Sequence, residues 1–185
     1  MSQIKSFARA TRMGVAILAA AVCGCELAPQ PGPTPQVPDR QAVPAPLDRL
    51  LPQKIRIHSF TRTGVLENDE GGVKGIDVRI QAIDAFGDAT KAFGQFRFEL
   101  FRHKPNAADP RGPRLAVWTA DVASFDANRR HWNNIMRTYQ FKLGWDEAVP
   151  VGRKLVLTAT FNSPFTDRLS DQYEFVSGDS GPGPL

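Results

Sequence analysis

Residues 78–100 read VRIQAIDAFGDATKAFGQFRFEL, and the fold class follows from the spacing of the apolar side chains in and just before this stretch. Ile76, Val78, Ile80 and Ala82 alternate with Asp77, Arg79 and Gln81, and after a turn Phe96, Phe98 and Leu100 alternate with Arg97 and Glu99. A period of two puts one set of side chains on each face of an extended chain, so both runs predict strands with one buried and one wet face. Between them DAFGDATK supplies the turn: the Asp84 carboxylate can accept backbone N–H groups two residues on, and Gly87 can take a positive φ. Lys91 is expected to pair with Asp88 in solvent. Asp84 and Asp88 lack the ligand ladder of a calcium loop, so no cation is expected there.

The same alternation recurs outward from this unit. Tyr139, Phe141 and Leu143 stand against Gln140 and Lys142, and Leu155, Leu157, Ala159 and Phe161 against Val156, Thr158 and Thr160. Shorter strands are predicted over 54–60, 114–119 and 172–176. Turns are predicted at Glu70-Gly71-Gly72, Pro110-Arg111-Gly112-Pro113 and Val151-Gly152. About seven strands in some 125 residues is the count of an immunoglobulin-like sandwich. The 78–100 run also resembles the early strand–turn–strand unit of immunoglobulin-like and macroglobulin-like extracellular modules, where a strand ends in Asp-x-x-Gly. That resemblance implies architecture only, and the Cys and Trp pair of antibody domains is absent. The predicted fold class is all-β: a single immunoglobulin-like antiparallel β-sandwich with one short helical turn.

The helical turn is placed at 124–131. Val122, Phe125, Trp132, Ile135 and Tyr139 fall near helical spacing, and Ser124 or Asp126 can cap its start. The same region holds the side chains best suited to binding. Trp132 and Trp145, with Arg129, Arg130 and His131, combine planar aromatic bodies with fork-like donors, which suits a protein hot spot or a sugar ring. Trp145, in the loop 144–147, is the tryptophan expected to stand most exposed.

Catalytic chemistry finds little support. Gly178-Asp179-Ser180-Gly181 copies the segment around the nucleophile of chymotrypsin-like proteases, but Ser180 lies in a Gly/Pro tail with Pro182 where that family has glycine. His58, His103 and His131 are the only histidines, and no two share a metal-ligand spacing. No catalytic residue, metal or cofactor is assigned.

The N-terminus carries an address. Residues 1–12 are basic and acid-free, and 13–22 form an apolar run of ten, about 15 Å as a helix, which is too short to span a bilayer but fits the core of an export signal. Val22-Cys23-Gly24-Cys25 resembles a bacterial lipobox, and the resemblance implies lipidation of Cys25 after cleavage. Cysteine at the second lipobox position leaves ordinary signal-peptidase cleavage as the alternative. Removing Lys5, Arg9 and Arg12 with the leader lowers the formal charge from +4 to +1, so the basicity belongs mostly to the address, and nucleic acid is not an expected partner.

From 26 to 52 the chain holds eight of its fifteen prolines, which fix φ and remove backbone donors, so this stretch is predicted to be a disordered tether without helix or central strand. The expected organisation is an export signal at 1–24, a lipidated cysteine and tether at 25–52, the sandwich at 53–176 and a disordered Gly/Pro tail at 177–185. The expected function is that of a non-catalytic envelope lipoprotein, held to a bacterial membrane by its lipid anchor and facing periplasm or exterior. Its sandwich would bind a protein partner or assembly; the alternative is a cell-surface carbohydrate or small-ligand binder.

Overall fold

The alternating runs form the inner faces of two antiparallel sheets. The computed structural model describes residues 41–68, 71–145 and 151–178. The leader, Cys25, the first part of the tether, the Asp146 side of the Trp145 loop and Ser180 lie outside them.

One sheet holds β1 (Lys54–Ile57), β2 (Arg62–Asn68), β3 (Gly71–Ile83), β6 (Trp132–Asn133) and β7 (Thr138–Gly144). The other runs β5 (Arg111–Asp121), β4 (Gln95–His103), β8 (Lys154–Asn162) and β9 (Leu169–Val176). Helix α1 (Phe125–His131) carries the chain from the second sheet to the first. β1 and β2 pair with the same edge of β3, Ile57 opposite Ile80 and Arg62 opposite Asp77. Four residues therefore face two, and together β1 and β2 make one edge strand with a bulge at 58–61. Counting them so, each sheet of the sandwich has four strands among the described residues.

The core is the set that the alternation marked. Ile76, Val78 and Ile80 of β3, Tyr139 and Phe141 of β7, Phe96, Phe98 and Leu100 of β4, and Leu157 and Phe161 of β8 are all essentially solvent-free. Phe96 packs against Phe141 at 5.2 Å and Phe161 at 4.7 Å between ring centroids. Each such side chain removed from water contributes about 1.5–3 kcal/mol, so this interface between the sheets dominates stability. At one seam Asp171 of β9 accepts the Ile57 N–H at 2.6 Å. At the other the Trp118 indole N–H donates to the Gly144 carbonyl at 2.7 Å.

Several expectations need correction. The described residues form nine strands where about seven are expected: β2 and the two-residue β6 went unpredicted. Gly71 and Gly72 belong to β3 rather than to a turn, and β5 already begins at Arg111, with register shifts against β4. Val156 is buried although it sits on the outer face of β8, where it lies between Phe101 and Glu174 on the flanking strands.

The tether boundary also moves. Residues 47–50 form a 3-10 turn, and the whole stretch from Gln41 lies on one end of the sandwich. Gln41 N–H donates to Pro164 at 2.7 Å, Ala85 N–H to Arg49 at 3.1 Å and Gln53 N–H to Ile83 at 2.8 Å. Pro46 at the turn's N-cap removes a donor that a helix start leaves unpaired anyway, so proline there is compatible with the turn. The chain enters at this end and leaves at the opposite one, where Gly178 N–H meets Thr63 Oγ1 at 3.0 Å.

Candidate functional site

Helix α1 starts where the cap residues predict. Ser124 Oγ accepts the Ala127 N–H at 3.2 Å. Its buried residue is polar: Asn128 is 4% exposed, whereas Phe125 is 75% exposed and Ile135, beyond the helix, 95%. Of the residues at near-helical spacing, Val122 and Tyr139 are buried, whereas Phe125 and Ile135 do not pack into the core.

A hydrogen-bond hub holds the helix instead. Asn128 Nδ2 donates to the Ala92 carbonyl at 2.5 Å and to the Val122 carbonyl at 3.0 Å. The Tyr139 hydroxyl donates to Asn128 Oδ1 at 2.9 Å and accepts the Ala92 N–H at 2.8 Å. Burial pushes the Tyr139 hydroxyl pKa up, partly offset by its contacts with Ala92 and Asn128. Five polar groups satisfy one another in a buried site, which fixes α1 in one orientation.

On that support stand four of the five predicted binding residues. Arg129 and Arg130 are exposed on α1, and His131 and Trp132 are half-buried where it runs into β6. The Lys91 ammonium lies 3.7 Å from the Trp132 ring centroid, and burial lowers its pKa. The Tyr139 ring meets the indole at 5.0 Å and 69°. Lys91 is thus engaged with an aromatic face rather than with Asp88. His131 Nδ1 sits 3.1 Å from the Gln140 carbonyl.

Trp145 is elsewhere: it is 6% exposed and part of the core, and its backbone N–H donates to Lys74 at 2.9 Å. The expected exposure of this tryptophan is corrected, because its backbone continues the β7 register along β3 past Gly144, and its side chain, two residues beyond Leu143, falls on the same buried face.

Depressions flank Trp132. One of about 240 Å³ is lined by Lys91, Phe93, Phe125, Asn128 and Arg129. A second, of about 350 Å³, lies between Arg130, His131, Asn133, Gln140 and Lys142. Further across the outer face of the first sheet, Phe60, Arg62, Arg79 and Met136 border a third of about 370 Å³. Cations outnumber acids on this face. Asp77 is held by Gln140 Nε2 at 2.9 Å and by Arg79 at 3.7 Å.

The remaining candidates have structural roles. Asp84 Oδ1 accepts the N–H groups of Phe86 at 2.9 Å and Asp88 at 3.0 Å, and Gly87 takes φ 88°. His58 stacks on Phe60 at 4.7 Å, and His103 Nε2 lies 3.6 Å from Glu174. Among the described residues no group of His, Cys, Asp and Glu is arranged to hold a metal ion. Sequence reasoning missed Lys91, Phe93 and Phe125 as members of the surface. A Lys–Trp contact 41 positions apart leaves no local signature in the sequence. Compared with known protein families, curated proteins and solved structures, the chain matches none.

Proposed function

We propose that the protein is an exported lipoprotein, anchored through Cys25 to a bacterial envelope membrane and facing periplasm or exterior. In this reading its sandwich is a non-catalytic module that binds another envelope protein. The observation that carries the reading is the surface of Arg129, Arg130, His131 and Trp132, presented on a helix that a buried Asn128–Tyr139 hub holds still. A half-covered tryptophan beside planar guanidinium groups is the composition of an interface hot spot, and a rigid support lowers the entropy lost on binding. The lipobox-like Val22-Cys23-Gly24-Cys25 supports the anchor.

Affinity capture from native membranes, with mass spectrometry, tests the binding role. A partner recovered with the parent and lost with Arg129→Glu/Arg130→Glu supports it, and identical recovery with both sinks it. Cys25→Ser tests the anchor: the chain should move from the membrane to the soluble fraction, and unchanged partition with no lipid mass on the N-terminal peptide would remove it. A second reading, carbohydrate or small-ligand binding, draws on the depression of about 350 Å³ beside Trp132, a volume within the range of ligand pockets. Lys91 already covers one indole face, which counts against a stacked sugar. A glycan array separates the two readings.

A further inference from the structure

We infer that the end of the sandwich where the chain enters docks on the lipid surface itself, through Leu47, Leu50, Phe86, Phe93, Phe125 and Ile135. The inference rests on the anchor reading and goes beyond it. These six account for half of the twelve exposed large apolar residues among those described, and for every exposed Phe but Phe60. Among the described residues, the large apolar side chains exposed at the opposite end are all valines: Val65, Val73, Val151 and Val176.

Contacts place the six together. Ala85 N–H donates to Arg49 and Thr90 Oγ1 to Leu50, which joins the 3-10 turn to the loop bearing Phe86. Arg137 reaches the Ala89 carbonyl at 3.4 Å, joining that loop to the β6–β7 hairpin whose tip is Ile135. Phe93 and Phe125 line one depression with Asn134, the neighbour of Ile135.

Two features select a lipid surface as the occupant. Phe125 and Ile135 protrude, at 75% and 95% exposure, although Phe125 also borders the depression beside Trp132, and a fluid headgroup boundary accepts protruding apolar tips without a matching shape. The chain also arrives at this end: Gln41 is bonded to Pro164 there, so only the 15 residues 26–40 separate it from the anchoring cysteine. At about 3.1 Å per residue they reach at most roughly 50 Å, which keeps this end at high effective concentration near the bilayer. Arg49, Lys91, Arg129, Arg130 and Arg137 are interspersed at the same end with Asp48, Asp84, Asp88 and Asp126, so the docking is apolar more than electrostatic.

Hydrogen exchange of the full chain decides the matter, in buffer and on vesicles of phosphatidylethanolamine and phosphatidylglycerol at 3:1. Amides in 84–93 and 134–137 should slow by about fivefold or more on vesicles, at low and high salt alike, while β8 is unchanged. Phe125→Ser/Ile135→Ser should abolish that protection without lowering the melting temperature. Exchange unchanged by vesicles overturns the inference, as does protection that needs no lipid and grows with protein concentration, which would mark a second copy as the occupant. Absence of a lipid mass at Cys25 would fell the anchor reading alone, because the exchange of the unlipidated chain with added vesicles still reports docking.

Discussion

Asn128 is the residue on which the candidate surface depends. Its amide faces two carbonyls, so Asn128→Ala leaves Ala92 and Val122 without that donor and should cost about 2–3 kcal/mol. Asn128→Asp keeps the shape but turns an acceptor toward both carbonyls, and should cost at least as much at neutral pH. Thermal melts check both, and equal stability of parent and Asp variant would disprove the hub. Leu157 and Thr158 make a second contrast. Leu157 is solvent-free on the inner face, and Thr158 is half-exposed on the outer one. Leu157→Asp buries an unpaired carboxylate and should unfold the domain, whereas Thr158→Asp should cost about 1 kcal/mol or less. Similar melting temperatures for the two would mean that the faces are misassigned.

At the scale of elements, Glu99 ties an edge strand to its neighbour. Its carboxylate meets Arg97 at 3.1 Å and Arg114 of β5 at 3.0 Å. Burial alone would raise its pKa, but the hydrogen bonds and charges of the two arginines outweigh that and hold it below its ordinary value of 4.5. A carboxylate depressed in the fold stabilises above its unfolded pKa and loses that contribution as pH falls through the folded one. Stability should therefore decline below about pH 4.5, and Glu99→Gln should flatten part of that decline while costing under about 1 kcal/mol at pH 7. Melts across pH 2–7 give the comparison.

The strands β3, β4, β7 and β8 were legible in the sequence because each has a buried face long enough to show its period. Others were not: β2 puts Val65 and Leu66 side by side and carries Gly64, β6 has two residues, and the start of β5 is masked by Pro110 and Pro113. Helix α1 was legible from its cap, Ser124. Its partner Tyr139, like the contact of Lys91 with Trp132, is a product of tertiary packing that local spacing does not encode.

At the scale of the whole molecule, the N-terminal segment is part of the domain. Gln41, Arg49, Leu50 and Gln53 each engage the end of the sandwich, and Pro52 is buried. Deleting residues 41–52 should cost about 2 kcal/mol, from a few net hydrogen bonds and newly exposed apolar surface around Ile83. An unchanged denaturant midpoint would return that segment to the tether. The opposed positions of Gln41 and Gly178 carry a mechanical meaning. β1 descends from the end where the chain arrives and β9 runs toward the end where it leaves, so tension between the termini acts along the strands. Such a load shears the ladders of β1 and β2 on β3, and of β9 on β8, stretching many hydrogen bonds at once instead of unzipping them singly. Pulled between its termini in an optical trap, the domain should rupture in a single event, at a higher force than when the load is applied across the sheet through Val117 on β5.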